Sequence, residues 1–298
     1  MRLDLALIGR HPELSRRKAR EVIEKGQVTV GGATVLEAGR EVASADEVRW
    51  DVNRPARSRA RSSLPLLYRD EALVIVDKPP GLLAVPTSPE ARDEDTALRR
   101  VQDFARHLHP RRPYVGVVHR IDRDTSGALA FALSPDVRSR LRSLFRAHDI
   151  ERRYLALVHG VPREDHGAVD AAIHEEYAAG RRRLARGREP ALAALTRWTV
   201  VERFPSAALL EVELETGRQH QIRLHLAHIG HPLVGERVYT ATPGARAPVA
   251  PRQMLHARLL AFAHPLTGAP VRAESPLPPD FRRALSALRR GPRSTDLG

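Results

Sequence analysis

The sequence contains no cysteine and no long apolar run. The absence of cysteine excludes disulfides, thiolate nucleophiles and zinc sites built on cysteine. A membrane-spanning helix needs about 18 to 20 consecutive apolar residues, and no segment approaches that length. Charged residues also interrupt the apolar residues of the first 20 positions, which is not the pattern of a secretory signal. We therefore expect a cytoplasmic protein that has no membrane partner.

Basic residues outnumber acidic ones, which gives the chain a strong positive charge. The 49 Lys and Arg residues against 36 Asp and Glu residues leave a net charge of +13 and a pI of about 11.1. Such a balance is typical of proteins that bind nucleic acids or other polyanions. An arginine-rich composition can also reflect genome bias, so charge alone leaves a solvated basic surface as the alternative.

Residues 1–52 have the pattern of a small folded module. Ser15 is placed to cap a helix that runs to about Lys25, and "QVTVGGATV" predicts a hairpin that turns at Gly31 and Gly32. The pattern over residues 2–48 resembles the small RNA-binding module of the ribosomal-protein S-four type, which implies that the outer face of the helix binds RNA. That face carries four basic residues: Arg16, Arg17, Lys18 and Arg20. A charged helix face that only contacts solvent is the alternative.

The rest of the chain divides into a linker, a large domain and a tail. Residues 53–63, "NRPARSRARSS", hold four arginines, a proline and no large apolar residue, which predicts a linker. Residues 64–290 mix strand and helix patterns, and residues 291–298 are predicted to form a flexible tail. The strand patterns occur in neighbouring clusters rather than in strict alternation with helices. We therefore predict an α+β domain with a mixed, mainly antiparallel central sheet flanked by helices.

The segment "HRIDRDTSG" at residues 119–127 places charged residues between two predicted strands. It does not fit a protein kinase, because the kinase catalytic loop has its Asp directly after Arg and follows a glycine-rich loop that is missing here. It does not fit a glycosidase either, since Asp122 and Asp124 are too close on one loop to lie on opposite sides of a sugar. Two interpretations remain open from these residues. The loop carries a single catalytic acid, or it is a turn whose arginines and aspartates pair at the surface.

Five segments of the large domain together resemble the RluA-type RNA pseudouridine synthases. Besides residues 119–127, they are "RDEALVIVDKPPGLLAVP" at 69–86, "RRYLALVHG" at 152–160, "ETGRQHQIRLHLAHIGHPLVGERVY" at 215–239 and "LHARLLAFAHPLTG" at 255–268. The resemblance implies the pseudouridine synthase fold and the isomerisation of uridine to pseudouridine within ribosomal or transfer RNA. It also implies that no metal or other cofactor takes part. We further expect a monomer.

The resemblance implies a role for four site residues. Asp122 acts on the ribose, Arg223 is its cationic partner, and Tyr154 stacks on the extruded uracil. Arg120 fills the place that the uracil leaves in the RNA. Contacts with RNA or substrate are expected from four further residues: His119, Thr125, Lys78 and Arg218. For Lys78 and Arg218 a structural contact is the alternative, and His119 is expected to order the loop through a hydrogen bond rather than to act as an acid or base. The pairing suits the chemistry, because a carboxylate buried under a base needs a nearby cation to stay ionised, and a guanidinium can bind it through two donors.

Three histidines, His220, His225 and His228, lie on one predicted helix. The first two are five residues apart, whereas the two histidines of a zinc-binding helix are four apart. We therefore expect no metal site there and assign these histidines structural or solvent-facing positions.

Two alternatives to an RNA-modifying enzyme remain. The first is a non-catalytic RNA-binding or ribosome-assembly protein on the same fold. The combination of Asp122, Tyr154 and Arg223 argues against it, since a protein that only binds RNA has no need of all three. The second is a glycosidase that acts on free nucleosides, which the positive charge and the N-terminal module disfavour.

Overall fold

The computed structural model describes residues 1–52, 54, 64–91, 94–108, 113–178, 180–240 and 250–290. Most of the predicted linker and the whole predicted tail, residues 291–298, lie outside the described residues. The chain divides into two compact units, Met1–Ser62 and Ser63–Gly298. None of the helices in the described ranges is long and apolar enough to cross a membrane.

The N-terminal unit contains two helices and a three-stranded sheet around a shared apolar core. Its elements are α1 (Leu3–Arg10), α2 (Arg16–Glu24), β1 (Val28–Val30), β2 (Ala33–Thr34) and β3 (Val48–Trp50). Both β2 and β3 pair antiparallel with β1. The Lys18 N–H donates to the Ser15 hydroxyl at 3.2 Å and so caps α2 as predicted. Positive φ angles of 56° at Gly31 and 80° at Gly32 turn the chain between β1 and β2, which confirms the hairpin.

The second unit is built on a ten-stranded sheet. The strands are β4 (Leu66–Arg69), β5 (Leu73–Lys78), β6 (Gly116–Val117), β7 (Ser126–Ala132), β8 (Glu151–His159), β9 (His166–Asp170), β12 (Leu195–Arg203), β13 (Ala207–Leu214), β14 (Leu255–Ala263) and β15 (Pro270–Glu274). Along the sheet the order is β4-β5-β7-β14-β8-β13-β12-β9, with β6 beside β7 and β15 beside β14. Only the β7–β14 pairing is parallel, so the described sheet is mixed and mainly antiparallel, which confirms the predicted fold class. A separate ribbon pairs β10 (Ile173–His174) with β11 (Ala191–Leu192).

Helices and loops cover both faces of this sheet. Val74 and Val76 of β5 belong to one apolar cluster, whereas Leu73 and Ile75 belong to another. Successive strand residues point to opposite faces, so the two clusters lie on opposite sides of the sheet. Both faces are therefore buried along this strand. The helices are α3 (Ala97–Leu108), α4 (Pro135–Ala147), α5 (Gln221–His228) and α6 (Pro279–Arg290).

The loop between β6 and β7 is positioned by the close approach of β7 to β14. Gly127 pairs with Ala257 in the parallel register and has a φ angle of 116°. A Cβ at this position would lie 2.2 Å from the Ala257 carbonyl oxygen, so only glycine fits. On its other edge, β14 pairs with β8, where Ala257 lies opposite Tyr154. The end of the loop and the tyrosine of β8 therefore lie two strands apart on one sheet.

Candidate active site

A cavity of about 420 Å³ opens where the loop at residues 118–125, α4, β8 and α5 meet. Its volume is in the range of small-ligand pockets. Among the described residues that line it, Asp122 is the one carboxylate. The lining also includes six arginines: Arg120, Arg142, Arg146, Arg152, Arg218 and Arg223. The cavity is therefore suited to a polyanionic ligand and holds one acid that can act on it.

Buried cations hold the backbone of the loop that carries Asp122. Lys78 is fully buried, and its Nζ donates to the carbonyl oxygens of Arg123 at 2.8 Å, Leu82 at 2.7 Å and Pro79 at 2.9 Å. Burial lowers the pKa of Lys78 to about 7. Lys78 was predicted to contact either the protein or the substrate; all three of its N–H donors are used within the fold, and it does not line the cavity. Its observed role is to fix the loop.

Arg252 holds the backbone of the same loop one residue further along the chain. Its Nη1 donates to the Asp124 carbonyl oxygen at 2.7 Å, and its Nε donates to the Asp280 carboxylate at 2.7 Å. Arg252 precedes β14, more than 120 residues along the chain from the loop. No local pattern around it indicates this contact, so the sequence analysis missed it.

Asp122, Arg223 and Glu236 form a buried ion-pair network. Arg223 Nη1 donates to Asp122 Oδ2 at 3.0 Å, while its Nε and Nη2 donate to the two oxygens of Glu236 at 2.8 Å each. The side chains of Arg223 and Glu236 are 7% and 1% exposed, whereas that of Asp122 is 21% exposed. The predicted pairing of Asp122 with Arg223 is thus present in the structure. Glu236 lies within a segment that the resemblance includes, but it was not among the predicted site residues.

The charges in this network support one another. Burial opposes the positive charge of Arg223, but hydrogen bonds and charge from Glu236 and Asp122 outweigh burial and raise its pKa. Burial likewise opposes the charge of Glu236, yet Arg223 and the backbone N–H groups of Val238 and Arg237 lower its pKa. The Tyr239 ring lies 5.3 Å from the guanidinium carbon of Arg223. Glu236 therefore keeps Arg223 charged and fixed in place beside Asp122.

Only one oxygen of the Asp122 carboxylate is bound within the fold. Oδ2 accepts the hydrogen bond from Arg223 and lies 3.9 Å from Nε2 of His220. Oδ1 accepts no hydrogen bond from any described residue, which leaves it available to a ligand in the cavity. His220 lines the cavity, and its Nδ1 lies 2.9 Å from the Tyr239 hydroxyl. The sequence did not predict this proximity of His220 to the acid.

His220 immediately precedes α5, and the two histidines within the helix, His225 and His228, do not line the cavity. His225 is fully buried between the Thr196 hydroxyl and the Ala171 carbonyl oxygen, each 2.9 Å away, so its position is structural. His228 ends the helix. No group of three His, Asp or Glu side chains that could hold a metal ion occurs among the described residues.

Tyr154, Thr125 and Arg120 all line the cavity, as do Arg218 and His119. Tyr154 is 8% exposed, and burial raises the pKa of its phenol. The hydroxyl of Thr125 is buried and has no partner among the described residues. Arg120 and Arg218 are exposed, and Arg218 Nε donates to the Ala193 carbonyl oxygen at 3.1 Å. Apart from Lys78, the structure therefore brings together every site residue predicted in the large domain.

His119 is used to order the start of the loop. Its Nε2 accepts a hydrogen bond from the Ala130 N–H at 3.0 Å, and its ring stacks on Phe145 with a centroid distance of 4.6 Å. Burial, and to a smaller extent the charge of Arg152, lower the pKa of His119 to about 3. The imidazole is therefore neutral at physiological pH, as its role of acceptor requires.

The predicted RNA-binding face of the N-terminal unit is exposed. Arg16, Arg17, Lys18 and Arg20 all lie on the solvent side of α2. Arg20 Nε donates to Asp4 Oδ2 at 3.0 Å, and Arg16 Nε lies 3.5 Å from the same atom. Arg17 makes no ion pair or hydrogen bond with any described residue. Part of this basic face is thus used inside the module, and part is free for a partner.

Comparison with known proteins agrees with this geometry. Residues 72–228 match the family described as RNA pseudouridylate synthase, and residues 1–48 match the S4 domain. The first match covers more than half of the chain and includes the cavity residues from His119 to Arg223. The chain therefore belongs to the RNA pseudouridine synthases, with an S4 domain at its N-terminus.

Individual relatives extend the similarity over almost the whole chain. The chain is 35% identical to the ribosomal large subunit pseudouridine synthase D of Xanthomonas campestris, over 97% of this chain and 89% of that protein. It is also 35% identical to the protein of the same name from Pseudomonas aeruginosa, over 97% and 92%. Among solved structures, human RNA pseudouridylate synthase domain containing 4 is 26% identical with a TM-score of 0.62, over 75% of this chain and 92% of that one. These similarities support the predicted fold and the predicted enzyme class.

Proposed function

We propose that this protein converts uridine to pseudouridine in large-subunit ribosomal RNA, and that Asp122 acts on the ribose of a uridine swung out of its stack. The names of the relatives, ribosomal large subunit pseudouridine synthase D, support this choice of RNA. The single observation that carries the proposed chemistry is that only one oxygen of the Asp122 carboxylate is bound within the fold. Arg223 holds Asp122 Oδ2 at 3.0 Å, while Oδ1 is open to the cavity.

An acid in this position suits the breaking of a glycosidic bond. Positive charge develops on the sugar as the bond to the base breaks, and an ionised carboxylate can bond to the sugar, stabilise its charge or remove a sugar proton. Arg223 places a positive charge beside the carboxylate, and Glu236 keeps that guanidinium charged and fixed in place. Because two buried cations hold the loop backbone, the carboxylate is oriented before substrate arrives.

The walls of the cavity fit an extruded nucleotide. A base inside structured RNA must leave its stack to be reached, at a cost of a few kcal/mol. Tyr154 supplies an aromatic surface in the cavity wall, and stacking of a base on such a ring is worth about 1–3 kcal/mol. Arg120 is exposed at the cavity, where its planar guanidinium can replace the base within the RNA. Thr125 and Arg218 are placed to contact the same nucleotide or its neighbours.

The decisive experiment compares the wild-type protein with Asp122→Asn. RNA carrying tritium at carbon five of its uridines releases that tritium when the base is rejoined through carbon five. We expect release with the wild type and none above background with Asp122→Asn, although both fold equally by circular dichroism. Sequencing of modified sites in ribosomal RNA, with and without the protein in its own cell, identifies the uridine. Full activity of Asp122→Asn, or sites confined to transfer RNA, would contradict the proposal.

We further propose that the N-terminal unit strengthens RNA binding and is separable from the catalytic unit. The exposed basic residues of α2, and Arg17 in particular, support this role. A chain lacking residues 1–60 is expected to keep the folded catalytic unit and its turnover at saturating RNA, and to bind RNA more weakly. Loss of the folded circular dichroism signal in the shortened chain would show that the division is wrong.

A further inference from the structure

The cavity contains two buried arginines with very different partners. Arg223 binds two carboxylates. Arg152, on β8, is only 9% exposed and makes no ion pair with a carboxylate anywhere in the described residues. Its Nη2 donates to the carbonyl oxygens of Leu214 at 3.0 Å and Glu215 at 3.4 Å. The guanidinium of Arg152 is therefore placed firmly but its charge is not neutralised.

A buried cation without an anion is unfavourable, so its presence in a cavity calls for an explanation. Burial lowers the pKa of Arg152, and its Nε has no hydrogen-bond partner among the described residues. An apolar side chain would fill the same space without this cost. A guanidinium that is held in place and lacks a counter-charge is suited to bind an anion that arrives with the substrate.

The neighbouring residue on the same strand has the opposite arrangement. Arg153 points away from the cavity and lies 2.6 Å from Glu151, 3.1 Å from Glu211 and 3.6 Å from Glu213. Arg152 and Tyr154 line the cavity because they are two residues apart on β8. Carboxylates thus surround the arginine on the outer side of the strand, and none pairs with the arginine on the cavity side.

Two arginines of α4 extend this charge along the cavity wall. Arg142 and Arg146 are four residues apart, so they share one face of the helix, and both line the cavity. Neither pairs with a carboxylate among the described residues. Phe145, which lies between them in the sequence, has its ring 5.7 Å from the guanidinium carbon of Arg152. The contact joins this part of α4 to β8, and the three arginines form what we call the unpaired arginine cluster: Arg142, Arg146 and Arg152.

We propose that the unpaired arginine cluster binds a phosphate group next to the target uridine, with Arg152 as the buried contact. This inference rests on the proposed function, because an extruded nucleotide brings its flanking phosphodiesters to the cavity. A guanidinium binds a phosphate through two parallel N–H donors, whereas a lysine offers only a point charge. The cavity then has two parts: Asp122 and Tyr154 receive the nucleoside, and the cluster holds the backbone that positions it.

The test removes one phosphate charge at a time from the RNA. The substrate is the fragment around the modified uridine, prepared with a neutral methylphosphonate at the linkage on its 5′ side or on its 3′ side. For the wild type, one of the two RNAs is expected to show kcat/KM lower by about 10- to 100-fold, the loss typical of one charge-assisted hydrogen-bonded contact. For Arg152→Gln, the unmodified RNA is expected to react more slowly, with little further loss from the methylphosphonate.

Two further variants complete this comparison: one is a control, and the other tests the rest of the cluster. Arg153→Gln removes a charge from the adjacent position outside the cavity, and it should retain the full methylphosphonate penalty of the wild type. Arg142→Gln combined with Arg146→Gln changes only exposed positions of α4, so it tests the cluster even if Arg152→Gln does not fold. This double variant should show a reduced penalty. An equal penalty in every variant, or no penalty at either linkage in the wild type, would overturn the proposal.

A direct binding measurement separates this inference from the proposed function. The ³¹P signals of uridine 3′,5′-bisphosphate are expected to broaden or shift with the wild type and with Asp122→Asn, and to do so much less with Arg152→Gln. If the wild type makes no pseudouridine in any RNA, the proposed function fails, yet this phosphate measurement still decides the role of Arg152. Identical ³¹P responses in wild type and Arg152→Gln would refute the site even if pseudouridine forms normally.

Discussion

The basic face of α2 and the wall of the cavity are both rich in arginine, yet they hold their charges differently. On α2, Arg20 and Arg16 pair with one carboxylate while their own side chains stay 45% and 56% exposed. In the cavity, Arg223 is 7% exposed and is fixed by two carboxylates. Asp4, the carboxylate of the first kind of pair, is 0% exposed, but water reaches both arginines and Asp4 also pairs with Arg2, so the loss of one arginine costs little. Burial makes the second kind strong and sensitive to the loss of either partner.

This difference shows that a net charge of +13 combines arginines with unlike roles. Exposed arginines of α2 attract phosphates over a distance and are each replaceable at small cost. Arg223 orients one catalytic group, and Arg152 is held with its charge uncompensated. The distinction depends on burial and on the nearest acid rather than on residue type. Substitutions in the two regions should therefore differ in size and in kind.

The largest effect is expected from Arg223→Met. It leaves Glu236, which is 1% exposed, as an unpaired buried carboxylate, so the free energy of unfolding should fall by about 3–5 kcal/mol. Pseudouridine formation should fall at least about 100-fold, because Asp122 loses its fixed partner. Urea unfolding and tritium release measure the two losses separately.

A double variant tells orientation apart from stability at this site. Arg223→Met combined with Glu236→Gln removes the stranded negative charge, so much of the lost stability should return while activity stays low. If activity returns together with stability, Arg223 supports the fold and does not orient Asp122. Comparable losses from Arg20→Met on α2 would contradict the distinction between the two regions.

Local sequence patterns were sufficient for most elements that surround the site. Ser15 caps the helix that it was predicted to cap, since an N-cap depends on residues within one turn. The two strands predicted on either side of residues 119–127 are also present, as β6 and β7, because apolar β-forming residues cluster there. The resemblance then identified the pair of Asp122 and Arg223, which are 101 residues apart.

The contacts that tune the site could not be predicted in the same way. Glu236, Arg252 and Arg152 each depend on a partner that the tertiary fold brings near, and no spacing in the sequence specifies that partner. Lys78 shows the same limit. The sequence left open whether this lysine contacts the substrate or the protein, and the fold buries it against three carbonyl groups. Burial decides between these roles, and it depends on the whole domain.

The two units should also lose stability in different pH ranges. In the catalytic unit, His256 is fully buried between the Ser126 hydroxyl and the Ser275 carbonyl oxygen, and burial lowers its pKa to about 4. The unfolded chain binds a proton near pH 6.5, so stability falls as pH drops from about 6.5 to about 4, by up to about 3 kcal/mol from this group. In the N-terminal unit, Asp4 is buried, yet Arg20 and Arg2 lower its pKa. Its contribution is kept until the pH falls below about 3.8.

The two tryptophans allow this comparison to be made within one chain. Trp50 lies in the N-terminal unit and Trp198 in the catalytic unit. Urea unfolding followed by fluorescence of Trp50→Phe should report a midpoint that falls between pH 6.5 and 4, whereas Trp198→Phe should report one that is nearly constant there. His256→Gln added to Trp50→Phe should make the dependence less steep, and the part that stays is expected from His119, whose pKa burial lowers to about 3. A parallel fall in both units would mean that the buried histidine is not its source.

The smallest effect distinguishes two arginines of the same helix face. Arg17 has no partner among the described residues, so Arg17→Gln should leave stability unchanged and remove one phosphate contact. The slope of the logarithm of RNA affinity against the logarithm of salt concentration should then decrease by about 0.7–1. Arg20→Gln removes one half-exposed partner of the buried Asp4 carboxylate, which keeps its contact with Arg2 at 3.1 Å, so stability should fall by about 1 kcal/mol. Filter-binding titrations at several salt concentrations measure the slope. An unchanged slope for Arg17→Gln would mean that Arg17 does not contact the RNA backbone.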